Sequence, residues 1–367
     1  MRREQTDMNV PRPLSLVAEL TYRCPLHCVY CSNPLAMGSP SDELTTDEWS
    51  ETFQQAAGSG TIHLHLTGGE PLARHDLVDL VAAARGAGLY INMITSGVGL
   101  SEEKLSQLVK AGLDHIQLSL QDVEESEANR FAGTRAHAHK LNVAEFIRNS
   151  GIAFTVNVVV HRQNLDRLEA MIVLAESLGP QRIEIAHVQY YGWALQNRDH
   201  LLPTRKQVTD SITMLKNAEQ RLRGRVHLQY VLPDYYAAYP KTCVGGWGRQ
   251  LALINPKGQV LPCHAAAIIP GMHFDSIRQK PFAWIWENSE AMNRFRGIDW
   301  MKEPCRSCER KELDFGGCRC QAFQLSGDAT MADPVCHKSP QHDALVHLTD
   351  QTPDHSSAMV YRIQSVD

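Results

Sequence analysis

Ten cysteines in 367 residues fall into two groups, and their spacing is the strongest chemical signal in the chain. Cys24, Cys28 and Cys31 lie close together as C-x3-C-x2-C, and the next cysteine is Cys243. Six more follow it: Cys263, Cys305, Cys308, Cys318, Cys320 and Cys336. Thiols scattered through a core would not leave that gap, and a chain of this size is no small disulfide scaffold. Metal ligation is the favoured reading. Three thiolates can hold three irons of a 4Fe–4S cube and leave the fourth open to another ligand. A zinc site, with His27 or His65 nearby, is the alternative. A second motif, LTGGEP, spans Leu66 to Pro71. Gly68 and Gly69 would let the backbone approach a small charged ligand, and Glu70 would accept a hydrogen bond from an ammonium group.

These residues need a scaffold. Apolar strand-type runs at 14–20, 61–69, 89–97, 115–120, 152–160 and 182–189 alternate with helical patterns over the first two hundred residues. The helical patterns cover 45–60, 75–85, 101–112, 136–150, 164–179 and 204–223. Thr45 and Glu48 stand at capping-box spacing, with Gly58 near that helix's end; Ser101 and Gly112 bracket another. Six β-then-α units predict an α/β fold with a parallel sheet, either open or a partial barrel. His63, His65, Asn92, Gln117, Ser119 and Asn157 interrupt apolar strands, which points to a shared wet lumen and so to a partial (β/α)6 TIM-type barrel. The cysteine triplet follows the first strand and LTGGEP ends the second. Both therefore stand at carboxyl ends of parallel strands, where such sheets place ligands.

The expected organisation is an N-terminal extension (1–13), the barrel (14–225), a loop-rich cysteine module held by metal (226–340) and a polar tail, mobile at its end (341–367). A net charge of −5 gives no reason to expect nucleic acid or an anionic membrane as partner. No apolar run reaches the ~20 residues that span a bilayer, and no apolar stretch backs the charged start, so a soluble cytoplasmic protein is expected.

The C-x3-C-x2-C motif, with Tyr30 before its last cysteine and a GGEP strand end after it, resembles the radical S-adenosylmethionine superfamily. The resemblance implies that the open iron chelates the amino and carboxylate groups of S-adenosylmethionine. One-electron reduction then cleaves the sulfonium to a 5′-deoxyadenosyl radical that abstracts hydrogen from substrate. It implies that Gly68, Gly69, Glu70 and Pro71 contact the methionine end, that Tyr30 lies near the adenine, and that Ser96, Ser119, Arg135 and Asn157 complete the pocket. The order Cys243, Gly258-x4-Cys263, Cys305-x2-Cys308, Cys318, Cys336 resembles the SPASM extension of that superfamily, which carries two auxiliary clusters, 4Fe–4S or 2Fe–2S. One departure stands out: the family's third cysteine in its C-x2-C-x5-C segment is Asp314 here. The family's interleaving assigns Cys243, Cys263 and Cys318 to one cluster, and the extra Cys320 can supply its fourth ligand. Cys305, Cys308 and Cys336 go to the other, with Asp314 in the fourth position either as a carboxylate ligand or as the sign of an open iron. A zinc ribbon from Cys305/Cys308 and Cys318/Cys320 is the alternative.

Within the superfamily, ELTYRCPLHCVYCSNPL, LHLTGGEPLAR, VVVHRQN, QYYGWALQNR, the Asp314 module and DPVCHKSP resemble the enzymes of pyrroloquinoline quinone biosynthesis that act on the precursor peptide PqqA. The implied reaction joins a glutamate γ-carbon to a tyrosine ring, with an auxiliary cluster accepting the electron released on rearomatisation. Gln189, Tyr190 and Tyr191, with Trp193 and Asn197, are candidates for the substrate mouth. The dozen or so residues before the first strand are too few for a peptide-recognition domain. The family's separate chaperone PqqD is therefore expected to present the peptide, and a reductant such as flavodoxin to supply the electron. Alternatives are a SPASM maturase that forms thioethers or activates sulfatases, and an iron–sulfur electron carrier or zinc-stabilised binding module.

Overall fold

The expected apolar runs become parallel strands, because helices cover one face of the sheet and leave Val, Ile and Leu no route to water. The computed structural model describes residues 10–37, 39–350 and 358–363. The first nine residues and the expected mobile end of the tail lie outside the described residues. The strands are β1 Ser15–Thr21, β2 His63–Gly68, β3 Tyr90–Thr95, β4 His115–Leu120, β5 Ala153–Val160 and β6 Arg182–His187. The helices between them are α1 Thr46–Gly58, α2 Leu77–Gly86, α3 Glu102–Ala111, α4 Glu125–Ala132, α5 His137–Ser150 and α6 Leu168–Ser177. The Thr45–Glu48 capping box forms in both directions, and Ser101 caps α3 by accepting from Lys104 N. Leu16, Leu64, Ile91, Ile116, Val156 and Ile183, one from each strand, are fully buried beneath helix side chains such as Trp49 and Phe53.

The sheet runs further than six strands. β7 (His227–Val231) pairs parallel with β6, and β8 (Leu251–Ile254) pairs parallel with β1 on the opposite side. A short β9 (Val260–Leu261) runs antiparallel to β8, giving the order β7-β6-β5-β4-β3-β2-β1-β8-β9. The sequence around β8 belongs to the cysteine-rich stretch, so that stretch is stitched to the barrel through the first strand. Helix α4 was not expected: its only buried residues are Ala128, Phe131 and Ala132, too few to stand out as an apolar stripe. The polar tail contains a helix, His342–Asp350. Among the described residues no helix is long and apolar enough to cross a membrane.

The polar strand residues divide between the two ends of the barrel. Gln117, Ser119 and Asn157 face one cavity at the carboxyl ends, as a wet lumen requires. His65 and Asn92 instead bond each other at 3.1 Å, and exposed His63 packs edge-on against Tyr90. Those three engage one another or a neighbouring ring, although Asn92 Oδ1 is buried with no hydrogen-bond partner among the described residues.

Candidate active site

The loop after β1 is held from three sides. His27 N and Val29 N donate to the carbonyls of Ala132 and Phe131 on α4 (2.8 and 3.2 Å), and Ala194 N donates to Cys31 O (3.0 Å). Asn33 Nδ2 donates to Gly68 O at 2.9 Å, which ties the loop to the end of β2. Cys24, Cys28 and Cys31 thereby line one cavity of about 500 Å³ with Tyr30, Gly68 and Gly69. That volume lies within the ~300–1,000 Å³ range usual for small-molecule sites. All ten cysteines are free of disulfides. Burial pushes the Cys28 thiol up to about 12, reinforced by Cys31 and Cys24. Burial also raises Cys24 and Cys31, opposed chiefly by the charge of Arg362. Thiols held neutral in this way must lose protons to bind metal.

The GGEP turn serves the fold as well as the cavity. A Cβ on Gly68, whose φ is +122°, would stand 2.3 Å from Thr21 O, and one on Gly69 would stand 2.3 Å from Arg23 O. The glycines therefore let the turn lie flush against the cysteine loop. Glu70 is 1% exposed, and its carboxylate accepts from Thr95 Oγ1, Ser96 N, Ser96 Oγ and Leu72 N (2.5–3.1 Å). Burial raises its pKa against those hydrogen bonds. Glu70 and Pro71 do not line the cysteine cavity, whereas Ser96, Ser119 and Asn157 do. Arg135 is exposed and stands outside it.

The cation found beneath the site is Lys140. It is 1% exposed, and its Nζ donates to Ser119 O (3.0 Å), Ser119 Oγ (3.1 Å) and Gln121 Oε1 (2.8 Å). Burial lowers it to about 8. Its signal in the sequence was helical spacing, since Lys140, Val143, Ala144 and Ile147 are the buried face of α5. Sequence reading also missed Gln121, Glu19 and Arg362. Gln121 and Arg362 face the cysteine cavity, while Glu19 accepts from Tyr22 Oη at 2.8 Å and faces the next one.

That second cavity, about 410 Å³, is lined by Cys243, Cys263 and Cys318 and shares Asn33, Gly68, Gln189 and His264 with the first. Cys263 Sγ and Cys320 Sγ are 3.8 Å apart. Hydrogen bonding among the four thiols draws Cys263 and Cys318 down and pushes Cys243 and Cys320 up. The structure thus brings together the four thiols expected as one set. Tyr191 Oη lies 3.5 Å from Cys318 Sγ, and Gln189 faces both cavities. Tyr190 is buried against Tyr235, and Trp193 and Asn197 are packed away from both cavities.

Cys305, Cys308, Asp314 and Cys336 line a separate small cavity with Asp333. Asp314 Oδ1 accepts from Gly316 N (3.0 Å), and Oδ2 lies 3.4 Å from Arg310 Nε. Burial pushes Cys305 up to about 11. Cys318 and Cys320 face the other group, so the two pairs a zinc ribbon would combine stand apart. Among the described residues no three His, Cys, Asp or Glu side chains form a set that could hold a single metal ion. Cys24, Cys28 and Cys31 line one cavity, Cys243, Cys263 and Cys318 a second, and Cys305, Cys308 and Cys336 a third, so each presents three thiols that a cluster could take as ligands.

A parallel partial barrel with a three-thiol loop at its mouth and a further seven-cysteine module defines a radical S-adenosylmethionine enzyme with auxiliary iron–sulfur clusters. Residues 18–175 match the model of the radical SAM superfamily, and 243–309 match the SPASM iron–sulfur cluster-binding domain. The fold is shared with the crystal structure of Streptococcus suis SuiB bound to S-adenosylmethionine. The TM-score is 0.74 at 17% identity, over 90% of this chain and 78% of that one. The chain is 51% identical to the PqqA peptide cyclase of Bradyrhizobium diazoefficiens over 95% of its own length and 93% of the relative's. It is likewise 51% identical to that of Gluconobacter oxydans, over 97% of this chain and 99% of that one. The chain belongs to the PqqA peptide cyclase family, whose domains bring S-adenosylmethionine and iron–sulfur clusters as cofactors.

Proposed function

We propose that the chain joins the γ-carbon of a glutamate to the ring of a tyrosine within the peptide PqqA, the first step of pyrroloquinoline quinone biosynthesis. The observation that carries this reading is identity near 50% over almost the whole chain to relatives named for that cyclisation. In this reading Cys24, Cys28 and Cys31 hold the cluster that binds S-adenosylmethionine, which supplies the hydrogen-abstracting 5′-deoxyadenosyl radical when reduced. Tyr30, Ser96, Ser119 and Asn157 bound the cofactor, with Gly68 and Gly69 forming the wall nearest β1. Glu70 orients that wall through Thr95 and Ser96, and Pro71 fixes the turn after it. Cys243, Cys263, Cys318 and Cys320 hold one auxiliary cluster. Cys305, Cys308, Asp314 and Cys336 hold the other.

The shared lining of the two larger cavities supports a peptide lying between the radical source and the four-thiol group. Gln189 borders both and orients the peptide backbone, while Tyr191 closes the path toward Cys318. Tyr190 stiffens this wall from behind. The barrel excludes water on the side away from the mouth, which protects a carbon radical from quenching. The peptide is presented in trans by PqqD in the cytoplasm, and a flavodoxin-like donor supplies single electrons.

The test is mass spectrometry of PqqA incubated anaerobically with the reconstituted chain, PqqD, S-adenosylmethionine and reductant. A loss of two hydrogens confined to the segment bearing the Glu and Tyr is expected. An unmodified peptide, or a change elsewhere in it, overturns the reading.

A further inference from the structure

Residues 358–363 return from the tail to lie along the loop that carries Cys24, Cys28 and Cys31. The Asn197 side chain clamps this segment, accepting from Val360 N (2.7 Å) and donating to Val360 O (2.6 Å). Arg362 N donates to His27 O at 3.3 Å, and Arg362 O meets His27 Nδ1 at 2.6 Å. The arginine is thus fastened by its own backbone between the first two cysteines. Its side chain is 3% exposed. Nη2 donates to Tyr22 O and lies 3.2 Å from Met37 Sδ, the side chain also hydrogen-bonds Cys24, and the buried Nε–H has no partner among the described residues. The guanidinium lines the cavity of the three thiols.

Burying a guanidinium is strongly unfavourable unless an anion meets it. Among the described residues no carboxylate forms an ion pair with Arg362; the nearby groups that can carry negative charge are Cys24 and Cys31. A cluster on three thiolates is such an anion, and it becomes more negative on reduction. Lys140 supplies a second positive charge from below, acting on Cys28 and Cys24. Arginine keeps its charge at every working pH, so its field is constant.

We propose that Arg362, delivered by the C-terminal tail, is a positioning residue whose charge raises the reduction potential of the cluster at Cys24, Cys28 and Cys31. The proposal rests on the reading that these cysteines hold that cluster. It makes the tail part of the redox site, although some 330 residues of chain separate them.

The experiment is a potentiometric titration of the anaerobically reconstituted full chain, followed by electron paramagnetic resonance, with the auxiliary-cluster signals as internal reference. Arg362→Met should make the first cluster about tenfold harder to reduce, about 59 mV for a one-electron couple. Arg362→Lys should stay closer to the parent. An unchanged potential in Arg362→Met, at unchanged iron content, overturns the proposal. Should Arg362→Met fail to retain the cluster, Val360→Pro carries the test: it removes the N–H whose hydrogen bond Asn197 accepts and so unfastens the tail, while the bond from Asn197 Nδ2 to Val29 O on the cysteine loop (2.7 Å) stays in place. With release confirmed by hydrogen exchange at 358–363, a potential shifted toward more negative values supports the proposal, and an unshifted one overturns it. Iron content in Cys28→Ala separates the two readings: if the first-cluster signal survives that substitution, the ligand assignment fails, whatever Arg362 does.

Discussion

The three thiols at the barrel mouth and the seven beyond residue 242 are held in different ways. The first group sits on a loop pinned to strand ends and to α4, so the hydrogen-bonded sheet fixes its position. The second group sits mostly in irregular chain, where buried side chains replace the sheet. Arg319, 1% exposed, donates to the carbonyls of Gly317 (3.3 Å), Ala329 (3.0 Å) and Met331 (2.8 Å) and lies over Trp300. Asp333 accepts from Cys318 N (2.8 Å), Gln321 Nε2 (2.8 Å) and Val335 N (3.0 Å), and burial pushes it up to about 6. Gly317, at φ +82°, has no room for a Cβ, which would stand 2.5 Å from Asp333 Oδ2. The mouth is a site added to a fold; the module is a fold assembled around its sites, and metal should matter to its structure.

The sharpest way to break that contrast is to remove one thiol from each region. Cys28→Ala should abolish deoxyadenosine formation while leaving the thermal melt of the metal-free chain within about 1 kcal/mol of the parent. Cys318→Ala should retain deoxyadenosine formation, abolish peptide cross-linking, and lower hydrogen-exchange protection across 305–336. If Cys318→Ala also loses deoxyadenosine formation, the two regions are not functionally separable. Next in size are the fastenings. Arg319→Met strands several buried carbonyls and should cost about 3–5 kcal/mol in urea unfolding. Asn33→Ala removes one hydrogen bond at the mouth and should cost about 1 kcal/mol. Equal costs would show that the module depends no more on side-chain fastening than the barrel does.

The same contrast explains what could be read from residues alone. Strands β1 to β6 were legible because the face beneath the helices demands apolar residues at alternate positions, with polar ones between them, and the Thr45 and Ser101 caps marked helix starts. β7 and β8 were not, since a strand such as Leu251–Ile254 is too short to show a period amid Gly and aromatic residues. The grouping of Cys243 and Cys263 with Cys318 and Cys320 came from resemblance; spacing alone left a zinc ribbon open. Glu70 was legible as a site residue, but its engagement with Thr95 and Ser96 required the register of adjacent strands. Arg135 followed from resemblance and is exposed outside the cysteine cavity, whereas Lys140, on the buried face of α5, donates to Ser119 and Gln121, which line it. Arg362 carried no local signal at all, because what matters is where a distant segment docks.

Acid offers a smaller and more selective probe of the barrel side. His161 is fully buried, with its ring 4.3 Å from that of Phe131; burial lowers it to about 3, with Arg130 and Arg167 adding to the effect. His187, on β6, is lowered to about 3 mainly by burial, with Lys241 contributing. Gln163 N donates to His161 Nδ1, which assigns the remaining proton to Nε2 in the neutral ring. The unfolded chain takes up these protons below about pH 6.5, whereas the folded chain resists until about pH 3. Each ring therefore contributes stability that is present above pH 6.5 and lost as pH falls toward 3, at about 1.4 kcal/mol per pH unit within that window. Urea unfolding of the metal-free chain should show this slope between pH 6.5 and 5. His161→Gln retains an acceptor for Gln163 N and removes one titrating group, so it should flatten the slope by about 1.4 kcal/mol per unit. A variant that kept the full slope would move the acid sensitivity away from the barrel, and the two regions would then differ in how they hold metal but not in how they meet acid.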